Sequence, residues 1–418
     1  MGKTLIEKIL STHTEDAVKP GEIVWIDLDV ISARDFGGPN VVKHYEREYD
    51  GTPPKNPESI FFTFDLVAPP KTIKYANNQQ ICRELARKFG IKVYDVDMGI
   101  GTHILFEEGH IFPGSSVIGT DSHMNILGAF LSFGQGMGDV DVAFAFKTSK
   151  TWFEVPETIK VILRGKYEFP TTAKDLTLYI LKIVGTKRAL SKAIEFYGEI
   201  FDTMDMAARI TLSSMVTEMG GIIGFPPLNE KSMDFIKRII GEENVDFPQA
   251  DPDANYAETI EIDIDKLKPQ VAAPPNPSNV EDAEKFKDVK IDTVFIGSCT
   301  NGRTEDFEIA AKILKGRKIA SGVTLKIVPA TKRVWGELLF KGILKDLYEA
   351  GAIISNPSCA GCAEGHIGMT GKGEIQISTG NRNFPGKQGE GLTYLASPAV
   401  AAASALTGKI ADPREVIE

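Results

Sequence analysis

Short apolar runs alternate with amphipathic segments along almost the whole chain. Three apolar runs that end in loops marked by Gly, Pro or Asp predict strands: SIFFTFDLVAPP, GIKVYDVDMG and SSVIGTDSH. Apolar residues spaced three and four apart predict helices in NNQQICRELARKFG and DLTLYILKIVG. Alternation of this kind is typical of an α/β fold in which helices connect the strands of mainly parallel sheets.

A Pro- and Asn-rich segment of low hydrophobicity interrupts this pattern at residues 268–280, KPQVAAPPNPSNV. We interpret it as an interdomain linker. A softer boundary is expected near WFEVPETIKVILRG, where a new strand begins. A chain of 418 residues is long enough for two or three α/β units. We therefore predict three domains, at 1–155, 156–280 and 281–418.

The charge balance narrows the class of partner. The net charge is -10 and the sequence pI is about 5.3. Nucleic acids and anionic membranes require a basic face, so neither is expected as the main partner. A local basic pocket for an anionic small molecule remains compatible with this balance.

The ends of the chain predict a cytoplasmic protein. The N-terminal MGKTLIEKIL mixes Lys and Glu with apolar residues, which is typical of an amphipathic helix and not of a signal peptide. The most apolar run, SPAVAAASAL, is too short to span a bilayer. In a reducing compartment, four cysteines are more often metal-binding or catalytic than paired in disulfides.

Polar and reactive residues follow several of the predicted strands. Ligands of open α/β sheets bind at the carboxyl ends of the strands, where such residues meet. One residue of this kind would be read as a loop or capping residue, but together they indicate a site. They are Asp65 after IFFTF, Asp121 and His123 after SSVIG, Cys299 at the end of VFIGSC, Cys359 and Cys362 after AIIS, and Asn381 and Arg382 after EIQIS.

The cysteine spacing is compatible with two kinds of metal centre. Three thiolates can hold three irons of a [4Fe–4S] cluster and leave the fourth iron open. They could instead hold a structural zinc, with His366 as the nearest fourth ligand. Spacing alone does not decide between them. Cys82 lies on a helical face and is expected to be a small buried core residue.

The sequence motifs around these residues resemble those of the aconitase superfamily over essentially the whole chain. They are GTDSH, FGQGMGDVDVAF, WFEVPETIK, KAIEF, GSCTNGR, NPSCAGC, NRNFPGK, YLASPA and DPRE. At this length the chain resembles the large subunits of 3-isopropylmalate dehydratase and homoaconitase. One-chain aconitases carry an additional swivelling domain, which supplies the serine that takes the substrate proton. The resemblance therefore implies a three-part iron–sulfur α/β assembly without that domain, and a separate small subunit.

The resemblance also implies roles for individual residues. An open iron of a [4Fe–4S] cluster would act as a Lewis acid, a His would protonate the leaving hydroxide, and Arg would hold carboxylates. The implied cluster ligands are Cys299, Cys359 and Cys362. The expected catalytic residues are Asp121 and His123 as a pair, Asp65, His103, and Glu195 near the open iron. The expected substrate-binding residues are Arg34, Ser122, Asn381, Arg382 and Lys387.

The chain departs from the family pattern within this same set. Leu66 stands where the family usually has His, so one expected proton donor is missing. Lys387 stands where the family has Arg, and Lys lacks the planar fork that binds a carboxylate bidentately. The other departures are Arg34 in place of Gln, Thr102 with a displaced His103, the run Met124 to Leu127 in place of Thr residues, and Ser214 in place of Asn.

These observations favour a hydro-lyase that dehydrates and rehydrates a small hydroxy-di- or tricarboxylic acid. The nearest activity is that of 3-isopropylmalate dehydratase in leucine biosynthesis. Homoaconitase and a paralogous hydratase of another hydroxy acid are the competing enzymatic hypotheses. Three hypotheses without this activity also fit the sequence: an RNA-binding protein, which the acidic balance disfavours, a zinc-stabilised structural protein, and a degenerate paralogue.

Overall fold

A computed structural model describes residues 2–362 and 364–417. Three parallel or mainly parallel sheets follow one another along the chain, and helices cover them. The predicted α/β class is thereby confirmed. Within the described residues, we find no helix whose length and apolar character would let it cross a membrane.

The first sheet has five parallel strands in the order β4-β3-β2-β5-β6. Strands β1 and β7 form a separate antiparallel ribbon. The strands of this part are β1 (Ile23–Asp27), β2 (Val30–Arg34), β3 (Ile60–Thr63), β4 (Lys92–Tyr94), β5 (Ser116–Gly119), β6 (Phe133–Gly136) and β7 (Lys150–Glu154). The helices are α1 (Leu5–Ser11), α2 (Gly38–Tyr49), α3 (Ile73–Phe89), α4 (Gly101–Glu107) and α5 (Asp139–Thr148).

The second sheet has four parallel strands in the order β10-β9-β8-β11. Its strands are β8 (Thr158–Arg164), β9 (Ala193–Tyr197), β10 (Ile223–Phe225) and β11 (Glu258–Asp263). Its helices are α6 (Ala173–Val184), α7 (Met206–Ser214) and α8 (Glu230–Ile240). A capping box between Thr172 and Asp175 sets the start of α6, because each satisfies a backbone or side-chain donor of the other.

The third sheet has seven strands in the order β13-β12-β18-β17-β14-β15-β16, antiparallel only around β12. Its strands are β12 (Gln270–Ala272), β13 (Val280–Asp282), β14 (Thr293–Gly297), β15 (Thr324–Val328), β16 (Ile353–Ile354), β17 (Ile375–Ser378) and β18 (Leu392–Ala396). Its helices are α9 (Thr304–Leu314), α10 (Lys332–Phe340), α11 (Ile343–Ala350) and α12 (Pro398–Thr407).

The most apolar sequence run forms α12, which is buried along most of its length. A helix that is apolar on all sides needs covering on all sides, and α12 packs against α9 and β14. Gly342, with φ 75°, lies between α10 and α11. Glycine tolerates this left-handed conformation, which lets the chain end one helix and begin the next.

The predicted interdomain linker at 268–280 is corrected by the structure. Strands β12 and β13 lie at its two ends and form an antiparallel pair at the edge of the third sheet. Its Pro and Asn residues make the turn between these strands and so belong to the third sheet. The three predicted domain limits stay a prediction.

The first and third parts meet through backbone contacts near the strand ends. The Ile100 amide donates to the Ala330 carbonyl at 2.8 Å, and the Cys359 amide donates to the Asp65 carbonyl at 2.9 Å. Gly99, with φ 105°, approaches Ala330 so closely that a Cβ would collide with its carbonyl. This close approach brings the carboxyl ends of two sheets together.

Candidate active site

The three cysteines of the predicted site lie on loops at the carboxyl ends of the third sheet. Cys299 follows β14, and Cys359 and Cys362 follow β16. Ser298 (φ 84°) and Ala360 (φ 50°), each next to a cysteine, adopt the left-handed conformation that non-glycine residues rarely take. Such backbone strain is typical of sites where a tight loop must present a side chain.

The three thiols are in mutual contact through Cys359. Contacts with the thiols of Cys299 and Cys362 lower the pKa of Cys359, and the Arg34 guanidinium acts in the same direction. The same contacts and burial raise the pKa of Cys299 and Cys362. The arrangement therefore favours one thiolate, at Cys359, shared between two neighbouring thiols.

The site fits a cluster held by three cysteines better than a zinc that also uses His366. Both ring nitrogens of His366 are engaged by protein: Nε2 lies 3.0 Å from Ser358 Oγ and 3.2 Å from the Ala68 carbonyl, and Nδ1 accepts from the Ile367 amide at 2.7 Å. His366 is therefore already committed to protein partners and is a poor fourth ligand for zinc.

A buried ion-pair network lies at the ends of β2, β3 and β5. The Arg34 Nε donates to Asp65 Oδ1 at 2.8 Å, and Arg34 Nη1 lies 3.1 Å from Asp121 Oδ1. Asp65 Oδ2 accepts from the Gly101 amide at 2.8 Å. The expected substrate-binding Arg34 is therefore already held by two carboxylates.

A second network joins His123, Glu218 and Arg382. Glu218 Oε1 lies 3.1 Å from His123 Nε2 and accepts from Arg382 Nε at 2.9 Å. Burial alone would raise the pKa of Glu218, but His123 and Arg382 overcome this effect and lower it. Glu218 is therefore an ionised carboxylate between two cationic or ionisable partners.

The expected Asp121–His123 side-chain pair is corrected by this geometry. Asp121 accepts from the His123 backbone amide at 3.0 Å, and its carboxylate also contacts Arg34. The partner of the imidazole is Glu218, from a short helical turn before β10. Asp121 therefore shapes the loop that carries His123, and Glu218 orients the ring.

Glu195, which the sequence placed near the open iron, lies elsewhere. It lies in the middle of β9 and is only 3% exposed. Its carboxylate accepts from the Leu5 amide at 2.7 Å, Tyr197 Oη at 2.7 Å and Tyr256 Oη at 2.8 Å. It anchors the start of α1, because the first amides of a helix have no partner within the helix.

A cavity of about 630 Å³ joins the two networks to the cysteines. Most of the predicted site residues line it directly, and its wall also carries Leu66, the departure noted in the sequence, and three side chains that the sequence did not single out. The predicted lining residues are Arg34, Asp121, Ser122, His123, Cys359, Cys362, Asn381, Arg382 and Lys387. Leu66, Phe36, Tyr75 and Lys74 also line this wall.

Polar contacts hold the cysteine loops from behind. Asn381 Nδ2 donates to Cys299 Sγ at 3.4 Å and to Thr300 Oγ1 at 3.2 Å. Ser214, the departure noted in the sequence, lies with its hydroxyl 2.9 Å from Thr300 Oγ1. Lys387 Nζ donates to the Cys362 carbonyl at 3.1 Å. Asn381 and Ser214 therefore support the loop, and Asn381 also touches a cysteine sulfur.

His103 lies behind the cysteine loop, fully buried on α4. Its Nε2 lies 2.9 Å from the Cys299 carbonyl, and Nδ1 has no hydrogen-bond partner among the described residues. Burial and the nearby Arg303 lower the pKa of His103 to about 3. The imidazole is therefore neutral at pH 7 and donates from Nε2.

This shift predicts a pH dependence of stability. Below its ordinary pKa of 6.5, His103 takes up a proton in the unfolded chain but not in the folded one. The free energy of unfolding should therefore fall as pH drops from about 6.5 to about 3, by up to about 1.4 kcal/mol per pH unit. Urea titrations across this range should show a steeper fall for the wild type than for His103→Gln. Equal slopes would contradict a neutral buried imidazole.

Glu218 is the functional residue that sequence reasoning missed. It stands in SSMVTEMGGIIGF as the lone acidic residue of an otherwise apolar and small-residue run. A carboxylate in such a run is expected to be buried, and a buried carboxylate needs partners. That signal was present, but it names no partner, and His123 is 95 positions away in the sequence.

A larger cavity, of about 1060 Å³, lies beside α1 and includes His13, Asp29 and His110. His13 Nε2 lies 2.9 Å from Asp29 Oδ2 there. This larger cavity shares no lining residue with the cavity that Cys359 and Cys362 line. The convergence of cysteines, cations and a His–Glu pair identifies the smaller cavity as the candidate active site.

Comparison with known proteins finds relatives that match the chain over its full length. A protein of Thermotoga maritima named 3-isopropylmalate dehydratase large subunit 1 is 43% identical over 422 residues, which cover 100% of both chains. One of the same name from Methanopyrus kandleri is 40% identical over 417 residues, 99% of each chain. A protein of Methanothermobacter thermautotrophicus named probable 3-isopropylmalate dehydratase large subunit is 41% identical over 422 residues, 99% of each.

The family described as "Aconitase family (aconitate hydratase)" matches residues 7–287 and 279–408. These two matches together span the three sheets and include all the cysteine loops. The resemblance drawn from the sequence motifs is confirmed, and the chain belongs to the aconitase family.

Proposed function

We propose that the chain is the large subunit of a [4Fe–4S]-dependent hydro-lyase that acts on a small hydroxydicarboxylic acid, with 3-isopropylmalate as the nearest substrate. The observation that carries this proposal is one cavity lined by Cys359, Cys362, His123, Arg382 and Lys387. Cys299 contacts Cys359, and Glu218 contacts His123, directly behind this lining. Membership of the aconitase family and the names of the relatives support it.

Cys299, Cys359 and Cys362 would hold the cluster. Cys359 and Cys362 line the cavity, and the thiols of Cys299 and Cys362 both contact that of Cys359. Asn381 donates to the Cys299 sulfur, as outer partners of cluster ligands do. When bound, the cluster supplies a Lewis-acidic iron that polarises the hydroxyl to be eliminated. Cysteines that must stay reduced suit a cytoplasmic location, which we propose on this ground.

Arg382 and Lys387 would bind the substrate carboxylates. Both are half-buried on the cavity wall, so their charges are only partly screened by water. Arg382 uses Nε for Glu218, and Nη1 lies 3.4 Å from Ser122 Oγ. The remaining guanidinium donors can hold one carboxylate, and the Lys387 ammonium can hold the second.

The His123–Glu218 pair would handle the proton of the leaving hydroxyl. Glu218 keeps the ring oriented and stabilises its cationic form, so His123 can donate a proton to departing hydroxide and recover it on hydration. Glu218 Oε2 has no hydrogen-bond partner within the described ranges, which leaves an acceptor for a water or hydroxyl. The proton on the substrate carbon would pass to the small subunit.

One wall of the cavity is apolar and supports a substrate with an alkyl group. Phe36, Leu66 and Tyr75 line it together. Leu66 replaces the usual family His and is buried. An alkyl substituent packed there is stabilised by about 0.8 kcal/mol per buried methylene, whereas a third carboxylate would lose hydration. This favours isopropylmalate over the tricarboxylic substrate of homoaconitase.

A hydration panel tests the proposal. The reconstituted chain with its small subunit would be given isopropylmaleate, cis-homoaconitate, cis-aconitate, citraconate and dimethylmaleate, with loss of the conjugated-acid absorbance as the readout. Isopropylmaleate should have the largest kcat/KM. Preference for another alkyl-substituted acid would identify a paralogous hydratase, and preference for a tricarboxylic acid would contradict the assignment of the apolar wall.

The small subunit would dock on an apolar rim around the cavity mouth, formed by Phe36, Ile73 and Phe384. These side chains are 64%, 81% and 46% exposed. Ile73 lies between the lining residues Thr72 and Lys74. Exposed apolar side chains grouped around a functional cleft mark an interaction surface.

Phe36→Asp and Phe384→Asp are expected to weaken small-subunit binding. Placing a carboxylate in a desolvated interface and removing an aromatic anchor should raise Kd by about tenfold or more, from about 1.4 kcal/mol or more of lost binding. Calorimetric titration of the two subunits would measure this. Phe340→Asp is the matched control, because Phe340 is 90% exposed at the end of α10. Equal effects at Phe340 would contradict the rim assignment.

A further inference from the structure

Lys174 is a fully buried lysine in the first turn of α6. Its ammonium group donates to two main-chain carbonyls of the loop after β17, to that of Thr379 at 3.0 Å and to that of Gly380 at 2.7 Å. Burial of a charge is costly unless hydrogen-bond acceptors stabilise it, and these two carbonyls do so. None of the proposed catalytic steps uses this group.

The loop that Lys174 contacts carries two residues of the candidate site. Thr379 and Gly380 directly precede Asn381 and Arg382, which line the cavity. A peptide group is planar, so a hydrogen bond to the Gly380 carbonyl also restrains the amide of Asn381. Lys174 therefore acts on the backbone from which both site side chains project.

The first turn of α6 is itself held in place. The Thr172 amide donates to Asp175 Oδ2 at 2.8 Å within the capping box, and Asp175 Oδ1 accepts from the Gln270 amide at 2.8 Å. Gln270 is the first residue of β12, so this turn is tied to the third sheet. Lys174 therefore reaches the loop from a fixed position.

Lys174 contacts the loop as a cation. Burial lowers the pKa of Lys174 to about 8, and the Glu218 carboxylate opposes this fall, so the ammonium form predominates at pH 7. Hydrogen bonds from a charged donor are about twice as strong as those between neutral groups. Two such bonds restrain a loop segment that lies outside the helices and strands.

We propose that Lys174 is a positioning residue that fixes the backbone before Arg382 and thereby directs the guanidinium towards a substrate carboxylate. The inference rests on the proposed function, because it requires Arg382 to bind substrate. Gln388 Nε2 donates to the Arg382 carbonyl at 3.1 Å, so the backbone is held on the other side as well. A guanidinium binds a carboxylate in a fixed planar geometry, so a displaced backbone weakens this contact.

The test is the steady-state kinetics of isopropylmaleate hydration by the reconstituted two-subunit enzyme. Lys174→Met keeps an unbranched side chain but loses the donors. Its KM should rise about tenfold while kcat stays within about threefold, because a contact made in both the bound substrate and the transition state affects KM alone. A lysine that only stabilised the fold would change the amount of active enzyme, and so kcat, but not KM. Lys174→Arg keeps a charged donor and should recover most of the affinity.

Lys182→Met is the matched control. Lys182 lies on the same helix, pairs with Glu281 at the surface, and should leave KM within about twofold. Lys174→Gln keeps one amide donor and takes the place of Lys174→Met if that variant does not assemble; its KM should rise at least about threefold. Calorimetric titration with 2-isopropylsuccinate, which lacks the hydroxyl to be eliminated, measures Kd without turnover and should follow KM.

Each outcome distinguishes the inference from the proposed function. Wild-type KM and Kd in the assembled Lys174 variants would overturn the inference and leave the proposed function standing. A wild-type enzyme that binds 2-isopropylsuccinate but does not hydrate isopropylmaleate would overturn the proposed function, and a weaker Kd in Lys174→Met would then still support the inference. A wild-type enzyme that neither binds nor hydrates these acids would overturn both.

Discussion

Replacing Cys359 by serine is expected to abolish cluster assembly and hydro-lyase activity. Cys359 contacts both other thiols and is the sulfur that the surroundings favour as thiolate. A serine hydroxyl at this position is harder and much less acidic than the thiol. Loss of even an outer partner of a metal ligand costs about 10–100-fold, so loss of the central ligand should exceed about 100-fold. Iron and sulfide content, with activity beside it, measures the effect.

Cys82→Ser is the matched control for this substitution. Cys82 is fully buried in the first core against Phe62 and Gly38, as the sequence predicted for a core cysteine. The new hydroxyl should lower the free energy of unfolding by about 1–3 kcal/mol and leave the cluster content unchanged. A full cluster in the Cys359→Ser chain, or its loss in Cys82→Ser, would contradict the ligand assignment.

Glu218→Gln is expected to lower kcat by about 10²–10⁴-fold with the cluster intact, which is the range of general acid–base catalysis. The amide keeps the size of the carboxylate but cannot stabilise a cationic His123. Steady-state kinetics on the two-subunit enzyme, with the cluster content determined beside it, measures this effect.

Glu195→Gln distinguishes the role of Glu195 from that of Glu218, the other buried glutamate. Glu195 binds the start of α1 and two tyrosine hydroxyls and does not line the cysteine cavity, so kcat should stay within about twofold. Its cost should be seen in stability, since the Leu5 amide loses a charged acceptor. If Glu195→Gln lost activity while Glu218→Gln kept it, the role inferred from the KAIEF motif would be restored.

The location of the candidate site could be predicted from the sequence, because its residues directly follow the carboxyl ends of predicted strands. Cys299, Cys359 and Asp121 each follow a strand of a parallel sheet, and such strands present their carboxyl ends on one edge. The periodicity of apolar residues and the positions of turn residues are local signals, so they predicted the strands and helices around these positions. The specific motifs then connected the site to a family.

The pairing within the site could not be predicted in the same way. His123 contacts Glu218, which lies in a short helical turn before β10 of the second sheet. Asp121, only two residues from His123, instead contacts Arg34 through its carboxylate. Sequence distance carries no information on such contacts, since they depend on how the parts pack together. The resemblance of the KAIEF motif to the family assigned Glu195 to the site, but in the structure Glu195 lies in the middle of β9 and binds the start of α1.

The interpretation of residues 268–280 as an interdomain linker was wrong for a related reason. Pro and Asn are typical of linkers and equally typical of the turn between two short edge strands. Composition cannot distinguish them, and the partner strand β18 is more than a hundred residues further along the chain.

The rate of isopropylmaleate hydration in a reconstitution matrix tests the central claim most directly. The chain with iron and sulfide, the small subunit alone, and both together would be compared under anaerobic conditions. Hydration that requires both subunits and the cluster, and that disappears with Cys359→Ser, is the result predicted here. A fully loaded cluster with the small subunit bound, but no hydration of isopropylmaleate or any other alkyl-substituted acid, would contradict the assignment.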